Sequence, residues 1–577
     1  MTSQFNTNQQ ALKLDFNERS DYPNPLLEDF CLDDGLWRYP DRQPLEAALA
    51  EINQLKPQQV ICTNGGDEAI MILMRLLAEA QSSTSSLSGA RLILPLPAFS
   101  QYTFGIESWQ LDAVQVAPNE DLTIDYQALK NEILSNPHCI TLVTRPNNPT
   151  GEFISFEQIV ELLEAAKKVK GYLWVDEAYI EFAQSTFAKT DTRETETSLV
   201  KLLTQYDNLI LLRTLSKAYG LAGIRVGYLL ANESIIQQFN LRCMPFNLSS
   251  PSIQIALKIL QSSGRQEMRN YCNEIVNNRK RLCQLLQDWQ VPFISSQANF
   301  VMLQLSQQRA QAVYSFLAKN GIAIRPFKEV YLENCLRITI PYQLEKIMSA
   351  LAQCFVPKLI CMDMDGVLID TSCSYDQAIK LCVKELSGQT VDQQKIDQLR
   401  SQGGYNNDWV LTKKILDDLG YDLDLSQVTE AFQKIYLGDN NNGLIVDETP
   451  LISDKLVKGI QQSKQKHFAI VTGRPRAEAK IGQALLGLES LDLMSLDDVK
   501  QGKPDPEGIK QLQKYYSSSS WMCGDNPDDM HAAVASGSLA IGIGVENKQA
   551  LYAAGADIVV KNINQIEEWL WPSKSSK

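Results

Sequence analysis

The sequence predicts two α/β domains in tandem, and three features predict it. Strand-length apolar runs alternate with amphipathic helical stretches, polar residues gather at the C-terminal end of each run, and the 577-residue chain far exceeds what one hydrophobic core usually organises. Taken in order, the runs are RLILPLPAF at 91–99, CITLVTRPN at 139–147, YLWVDEAY at 172–179 and NLILLRTLS at 208–216. A second group follows with KLICMDMDG at 358–366, HFAIVTGRP at 467–475 and SSWMCGDN at 519–526. Each group reads as one parallel sheet, whose strand C-termini are where open α/β sheets place ligands.

The stretch EKIMSALAQCFVP at 345–357 reads as a closing helix stopped by Pro357, with a fresh strand from Lys358. That puts a seam near 355–357 and divides the chain into domains 1–355 and 356–577. Serine-rich QSSTSSLSG at 81–89 and polar AQSTFAKTDTRETETS at 183–198 read as solvated loops.

Composition excludes several classes of function. A net charge of −14 repels polyanions, and no basic run with interleaved aromatics offsets it, so nucleic acid is not an expected partner. Phosphorylated ligands must then be held by local arginines and backbone amides. Twelve cysteines without a Cys-x-x-Cys pair and only three histidines argue against zinc. With no secretory leader and no apolar run of about 18 residues, the expectation is a cytoplasmic protein with free thiols and no membrane span.

In the first domain, RPNNPTG at 145–151, WVDEAY at 174–179, RTLSKAYG at 213–220 and GIRVGY at 223–228 occur in one order. Singly these are weak, since Asn-Pro-Thr-Gly is a good turn and a lone Ser-Lys is usually solvated. With RYPD at 38–41, NGGDEAI at 64–70 and SQANF at 296–300, the chain resembles the fold-type I pyridoxal-phosphate aminotransferases over about residues 12–353, most nearly the histidinol-phosphate group.

That resemblance implies a large and a small domain, pyridoxal 5'-phosphate as cofactor, and roles for particular residues. Lys217 is the lysine expected to bond the cofactor aldehyde and then move the substrate α-proton. Asp176 pairs with the ring nitrogen, keeping the ring an electron sink. Tyr179 and Asn148 hold the ring's phenolic oxygen, and Phe99 lies over the ring or is a plain core aromatic. For the cofactor phosphate, Gly66, Asp67 and Glu68 enter a helix whose amides converge on an anion, and Thr214, Ser216 and Arg225 complete the cup.

Tyr39 resembles the tyrosine that reaches the phosphate from a neighbouring subunit, which implies a homodimer; otherwise it is a staple before Pro40. Arg337 and Arg325 are the candidates for a substrate anion, two guanidiniums suiting a phosphate monoester where one suffices for a carboxylate. Asn17-Glu18 in LDFNERSDYP matches the start of the family's Asn-Glu-Asn segment, with Arg19 at the third position.

In the second domain, KLICMDMDGVLID at 358–370, IVTGRP at 470–475, KPDP at 503–506 and GDNPDDM at 524–530 resemble the four motifs of the haloacid-dehalogenase-type phosphatases. The resemblance implies a Rossmann-like core, a magnesium ion and a helical cap at about 372–462. Asp363 is then the nucleophile and Asp365 the acid and base that serves the leaving oxygen and the water. Asp363, Asp365 through its carbonyl and Asp525 gather round the metal, Asp529 supports the metal or orients Lys503, and Thr472 and Lys503 bind substrate oxygens. Within the cap, GGYNNDW at 403–409 either turns Asn406, Asn407, Asp408 or Trp409 toward the substrate or forms a buried capping turn.

The two halves together imply amination of imidazole-acetol phosphate by glutamate, giving histidinol phosphate and 2-oxoglutarate, then hydrolysis of a small phosphate ester, histidinol phosphate for one. Open alternatives are an aromatic aminotransferase, a threonine-phosphate decarboxylase-like enzyme, a phosphatase of unrelated substrate, or an inactive second module.

Overall fold

A computed structural model describes residues 11–28, 30–32, 36–82, 90–183, 198–401, 405, 407–439 and 442–571; most of the two expected loops, and Asn406, lie outside the described residues. The chain forms two compact units, Met1–Leu305 with Gly321–Glu345, and Ser306–Asn320 with Lys346–Lys577.

The first unit holds strands β1 (Leu12–Leu14), β2 (Val60–Asn64), β3 (Leu92–Pro95), β4 (Ala113–Val116), β5 (Ile140–Thr144), β6 (Tyr172–Asp176), β7 (Leu209–Thr214), β8 (Val226–Ala231), β9 (Phe293–Ile294), β10 (Phe300–Gln304), β11 (Ile322–Pro326) and β12 (Cys335–Thr339). Among the described residues, seven of these form one sheet in the order β2-β8-β7-β6-β5-β3-β4.

This sheet departs from the all-parallel expectation at β8, which runs antiparallel to both β2 and β7. The reason is connection length: residues 215–225 carry only a short 3₁₀ turn, Ala222–Ile224, whereas a parallel return needs a crossover of a dozen or more residues. Register then brings several chain segments to one edge. Thr144 pairs with Asp176, Asp176 with Leu212, Thr214 with Gly227 and Asn64 with Val226.

Helices cover the sheet through apolar stripes at helical spacing. Phe156–Lys168 buries Ile159, Leu162, Leu163 and Ala166, and its N-terminus is closed by a Ser155–Gln158 capping box. On one face, Trp174, Leu142 and Leu94 pack with Ile70, Leu73 and Phe239 in a continuous core. A second sheet, β1-β11-β12-β10-β9, places Arg325 directly opposite Arg337 on antiparallel neighbours.

The second unit holds β13 (Leu359–Met362), β14 (Ile369–Asp370), β15 (Thr449–Pro450), β16 (His467–Val471), β17 (Asp492–Met494), β18 (Ser520–Gly524), β19 (Leu539–Ile543) and β20 (Ile558–Val560). Six form a parallel sheet in the order β17-β16-β13-β18-β19-β20, so β13, the strand leading into the paired aspartates, is central. Strands buried on both faces read as unbroken apolar runs, as LICM and FAIV do.

This unit also takes in the helix Gln307–Lys319, whose Lys319 pairs with Asp557 at 2.7 Å, and the helix Glu345–Phe355, whose Gln353 carbonyl accepts from Trp521 Nε1. β14 and β15 form a two-stranded hairpin at which a helical insertion leaves and rejoins the core. The insertion comprises helices Tyr375–Ser387, Gln393–Ser401, Asp408–Asp418 and Leu425–Tyr436 around its own apolar cluster of Ile379, Leu411, Ile415, Val428 and Phe432. The helix Asp454–Gln462, inside the range expected for the cap, follows that hairpin; its Gly459 lies against Trp571, and Lys455 pairs with Glu567.

Candidate active sites

In the first unit, the common sheet edge opens into a cavity of about 650 Å³. Lys217 lies in the β7–β8 connection, with its Nζ donating to the Phe16 carbonyl at 2.9 Å and 5.8 Å from the Tyr179 ring. Asp176 ends β6 and is 7% exposed, accepting from the Tyr102 hydroxyl at 2.7 Å and the Ala178 N–H at 2.9 Å. Burial pushes its carboxyl up to about 6 against the pull of those two donors. No cation is hydrogen-bonded to it among the described residues, so it suits a group that brings a positive charge.

The Tyr179 hydroxyl accepts from Asn17 Nδ2 at 3.0 Å and Asn148 Nδ2 at 3.5 Å, converging where a phenolic oxygen would be held. Arg337 donates to Asn148 Oδ1 at 2.5 Å and to the Asp15 carbonyl at 2.9 Å, and its buried Nε lacks a partner. Burial lowers Arg337 to about 10. Arg325 lines the same cavity from the neighbouring strand, and Phe99 borders it edge-to-face with Tyr102 at 6.0 Å.

A phosphate cradle lies beside these groups. The helix Gly65–Ser82 begins at the C-terminus of β2, and Gly66 and Asp67 in its first turn line the cavity, where helix-start amides favour an anion. Gly65 has φ +70°, and a Cβ there would sit 2.4 Å from Arg225 Nη2, so glycine lets the guanidinium approach the helix start. Arg225 itself sits at φ 52°, unusual for a residue with a side chain, and among the described residues its carboxylate partner is Asp67 at 2.8 Å. Thr214 and Ser216 hydroxyls lie 2.9 Å apart at the end of β7. A phosphorylated pyridine aldehyde fits this set: a lysine, a lone buried carboxylate, a phenolic-oxygen pair, and amides with an arginine.

Two expected cofactor residues are not in that cavity. Glu68 turns back to cap its own helix, accepting from Asn64 N at 2.6 Å and Asn247 Nδ2 at 2.7 Å. Tyr39 is 81% exposed and stacks on Phe246 at 4.5 Å. Arg19 leaves the site as well: its side chain is buried, pairs with Glu267 and lies 4.0 Å from the Tyr271 ring centre. Sequence reasoning missed Tyr102, which orients Asp176; SQYTFG gives a helix but no sign of which face meets the strand edge.

In the second unit, Asp363 directly follows β13 and is 3% exposed. Carboxylate oxygens of Asp363, Asp525 and Asp529 lie within 4.8 Å of one another. Lys503 Nζ stands between them, 2.8 Å from Asp363 and 2.5 Å from Asp529, and donates to the Val471 carbonyl. Burial alone would lower the lysine, yet the two carboxylates hold it above its usual value. Burial, reinforced by the neighbouring acids, pushes Asp363 and Asp525 upward.

Two buried carboxylates and a half-buried third, once ionised against one ammonium, leave about two negative charges uncompensated, which is the condition a divalent oxygen-loving cation relieves. Asp529 is fixed by local chemistry, as the third helical residue of a capping box closed by Asn526 on Pro527–Ser536. Gly366, at φ +68°, permits the turn after Asp365, since a Cβ there would lie 2.0 Å from Asp525 Oδ2.

The Asp365 side chain is held by Arg474: its Oδ1 accepts from Nε at 2.7 Å and lies 2.5 Å from Nη2 as an ion pair. A small cavity beside it is lined by Tyr375, Asn407, Asp408, Trp409 and Gly473–Pro475. In the described part of GGYNNDW, Asn407 caps the helix Asp408–Asp418 by accepting from the Trp409 and Val410 N–H groups; the turn is half-buried, and Asn407, Asp408 and Trp409 share the small cavity with Asp365. Thr472, 4% exposed at the end of β16, accepts from Arg474 N at 3.2 Å. Arg474, Glu448 and Tyr375 were not singled out from the sequence.

Residues 32–352 match the family of class I and II aminotransferases, and residues 357–537 match the haloacid dehalogenase-like hydrolases. A histidinol-phosphate aminotransferase of Caldanaerobacter subterraneus is 34% identical over 306 residues, 52% of this chain and 79% of that protein. Another from Ruminiclostridium cellulolyticum is 32% identical over 354 residues, 59% of this chain and 91% of its own. In fold, the first part superposes on a histidinol-phosphate aminotransferase from Sinorhizobium meliloti solved with pyridoxal 5'-phosphate, at TM-score 0.50 and 24% identity, covering 60% of this chain and 90% of that one.

Proposed function

Since the chain belongs to the class I and II aminotransferases and carries a haloacid dehalogenase-like hydrolase domain behind that match, we propose that it makes and then dephosphorylates a phosphorylated amine in histidine biosynthesis. The first domain would aminate imidazole-acetol phosphate with glutamate, giving histidinol phosphate and 2-oxoglutarate, and the second would hydrolyse histidinol phosphate. The observation that carries the substrate class is the cross-strand pair Arg325–Arg337 at the cavity that also holds Lys217 and Asp176. Two guanidiniums match a phosphate monoester, and one of them serves the carboxylate of glutamate in the other half-reaction.

Pyridoxal phosphate, when bound, supplies the electron sink for the bond broken at the substrate α-carbon. Asp176 would keep the ring nitrogen protonated, Tyr179 and Asn148 would hold the phenolic oxygen, and Lys217 Nζ would take the substrate α-proton and deliver it on the cofactor side of the nitrogen. Thr214, Ser216, Arg225 and the amides at Gly66 and Asp67 anchor the phosphate. Tyr39, with Met244 and Phe246 also exposed, supports a homodimer in which Tyr39 meets the partner's cofactor.

Magnesium, when bound by Asp363, Asp525, Asp529 and the Asp365 carbonyl, neutralises charge on the ester oxygens. Asp363 attacks phosphorus; a P–O bond to the carboxylate forms as the bond to the leaving oxygen breaks, and Asp365 gives that oxygen its proton. Asp365 then takes a proton from water, which attacks phosphorus and frees Asp363 and inorganic phosphate. Thr472 and Lys503 steady the other oxygens. The cap turn at Asn407–Trp409 closes on the leaving group and limits access to small esters.

The test is to incubate purified protein with imidazole-acetol phosphate, glutamate and magnesium, following histidinol phosphate and free phosphate. Amination without phosphate release from histidinol phosphate, alongside release from another ester, would remove the pathway link and keep both enzyme classes.

A further inference from the structure

Arg474 is a buried cation between two carboxylates, only 2% exposed. Its Nε and Nη2 reach Asp365 Oδ1, and its Nη1 and Nη2 reach Glu448 at 3.0 and 2.9 Å. The Tyr375 ring centre lies 5.0 Å from the guanidinium carbon. These partners come from different elements. Asp365 belongs to the turn after the central strand, Glu448 directly precedes β15 where the cap returns, and Tyr375 opens the first cap helix. Glu448 is itself fixed by Ser374 Oγ and the Tyr436 hydroxyl, each at 2.9 Å, so cap residues on both sides converge on it.

A buried guanidinium is stable only when its charge and donors are met, and here meeting them fixes the pose of one catalytic carboxylate. Both contacts fall on Asp365 Oδ1, and Asp365 Oδ2 has no hydrogen bond among the described residues. The two-point grip on Oδ1 holds Asp365 at the cavity lined by Tyr375 and Trp409, and its carboxylate is not one of the three whose oxygens cluster within 4.8 Å. A carboxylate two residues from a metal ligand would otherwise compete for the cation. From the phosphatase reading above, we infer that Arg474 is a positioning residue: it presents Asp365 to the leaving oxygen and, through Glu448, ties that pose to the root of the cap.

The readout is leaving-group dependence, because p-nitrophenolate departs with little help from an acid while an alkoxide needs its proton. Full-length protein with magnesium is assayed on p-nitrophenyl phosphate and on histidinol phosphate as the alkyl ester. Arg474→Lys keeps the charge and loses the fork that bridges two carboxylates. It should lower kcat on the alkyl ester by about 10²-fold or more, and on p-nitrophenyl phosphate by less than about 10-fold. Glu448→Gln should show the same imbalance to a smaller degree, and Asp365→Asn provides the reference pattern. Retained p-nitrophenyl phosphate hydrolysis reports a folded site. Equal losses on both esters would overturn the inference and give Arg474 a role in general stability or phosphate binding. If the wild type hydrolyses neither ester, the phosphatase reading itself fails.

Discussion

At the scale of single residues, Asp176 shows how a site is held at the expense of the fold. Its carboxyl moves from 3.8 to about 6 because burial removes water without supplying a cation. A raised acid is costly to ionise: the cost is absent below about pH 4, grows between 4 and 6, and is fully present above 6. Its full size is about 3 kcal/mol. Asp176→Asn should therefore stabilise the cofactor-free protein in thermal melts at pH 8 and leave it unchanged at pH 4, while cofactor retention falls. No gain at pH 8 would mean that another group already neutralises the carboxylate. Arg325 supports a second expectation: Arg325→Ala should raise KM for the phosphorylated amine by about 10-fold or more, the loss of a charge-assisted bond, and raise KM for glutamate less. Equal effects would place the guanidinium outside the phosphate subsite.

At the scale of elements, the turn after β13 is the sharpest constraint. Gly366 has φ +68°, and a Cβ there would overlap Asp525. Gly366→Ala should cut magnesium-dependent phosphate release by about 100-fold or more, since misplacing a catalytic group by about 1 Å has that effect, and leave transamination intact. Unaltered phosphatase kinetics would refute the tight-turn account. The strand carrying this turn was legible because a doubly covered strand is a continuous apolar run that stops where the polar site begins, as ICMDMDG does. Strand direction was not: a period-two pattern is the same read either way, so the antiparallel β8 emerged only from the short 215–225 connection. Long-range polar pairing was equally hidden. Arg474 stood inside a motif that was read, but nothing local says that its partners are residues 365 and 448, and Arg19 looked like a variant of the substrate arm when it is a buried partner of Glu267. Tyr39 carries a signal that one chain cannot display.

At the scale of the whole molecule, the chain's charge of −14 contrasts with the phosphorylated ligands proposed for both of its sites, and each site compensates by a different local means. The first collects Arg225, Arg325 and Arg337 beside a helix start; the second gathers still more negative charge, which a divalent ion would neutralise. Among the described residues no helix is long and apolar enough to cross a membrane, and all twelve cysteines are free thiols. Removing the metal should therefore silence one activity only. With imidazole-acetol phosphate and glutamate, chelation by EDTA, or Asp363→Asn, should let amination proceed and histidinol phosphate accumulate without free phosphate. Lys217→Ala should give no histidinol phosphate, yet still release phosphate when histidinol phosphate is added. Mixing the Lys217 and Asp363 variants should restore phosphate release from imidazole-acetol phosphate, measured as product against time. A silent mixture together with a Lys217 variant that leaves added histidinol phosphate intact, while the wild type releases phosphate from imidazole-acetol phosphate, would mean that the second site acts only on intermediate made by the same chain, and the two chemistries could not then be treated as separate reactions joined by one freely diffusing product.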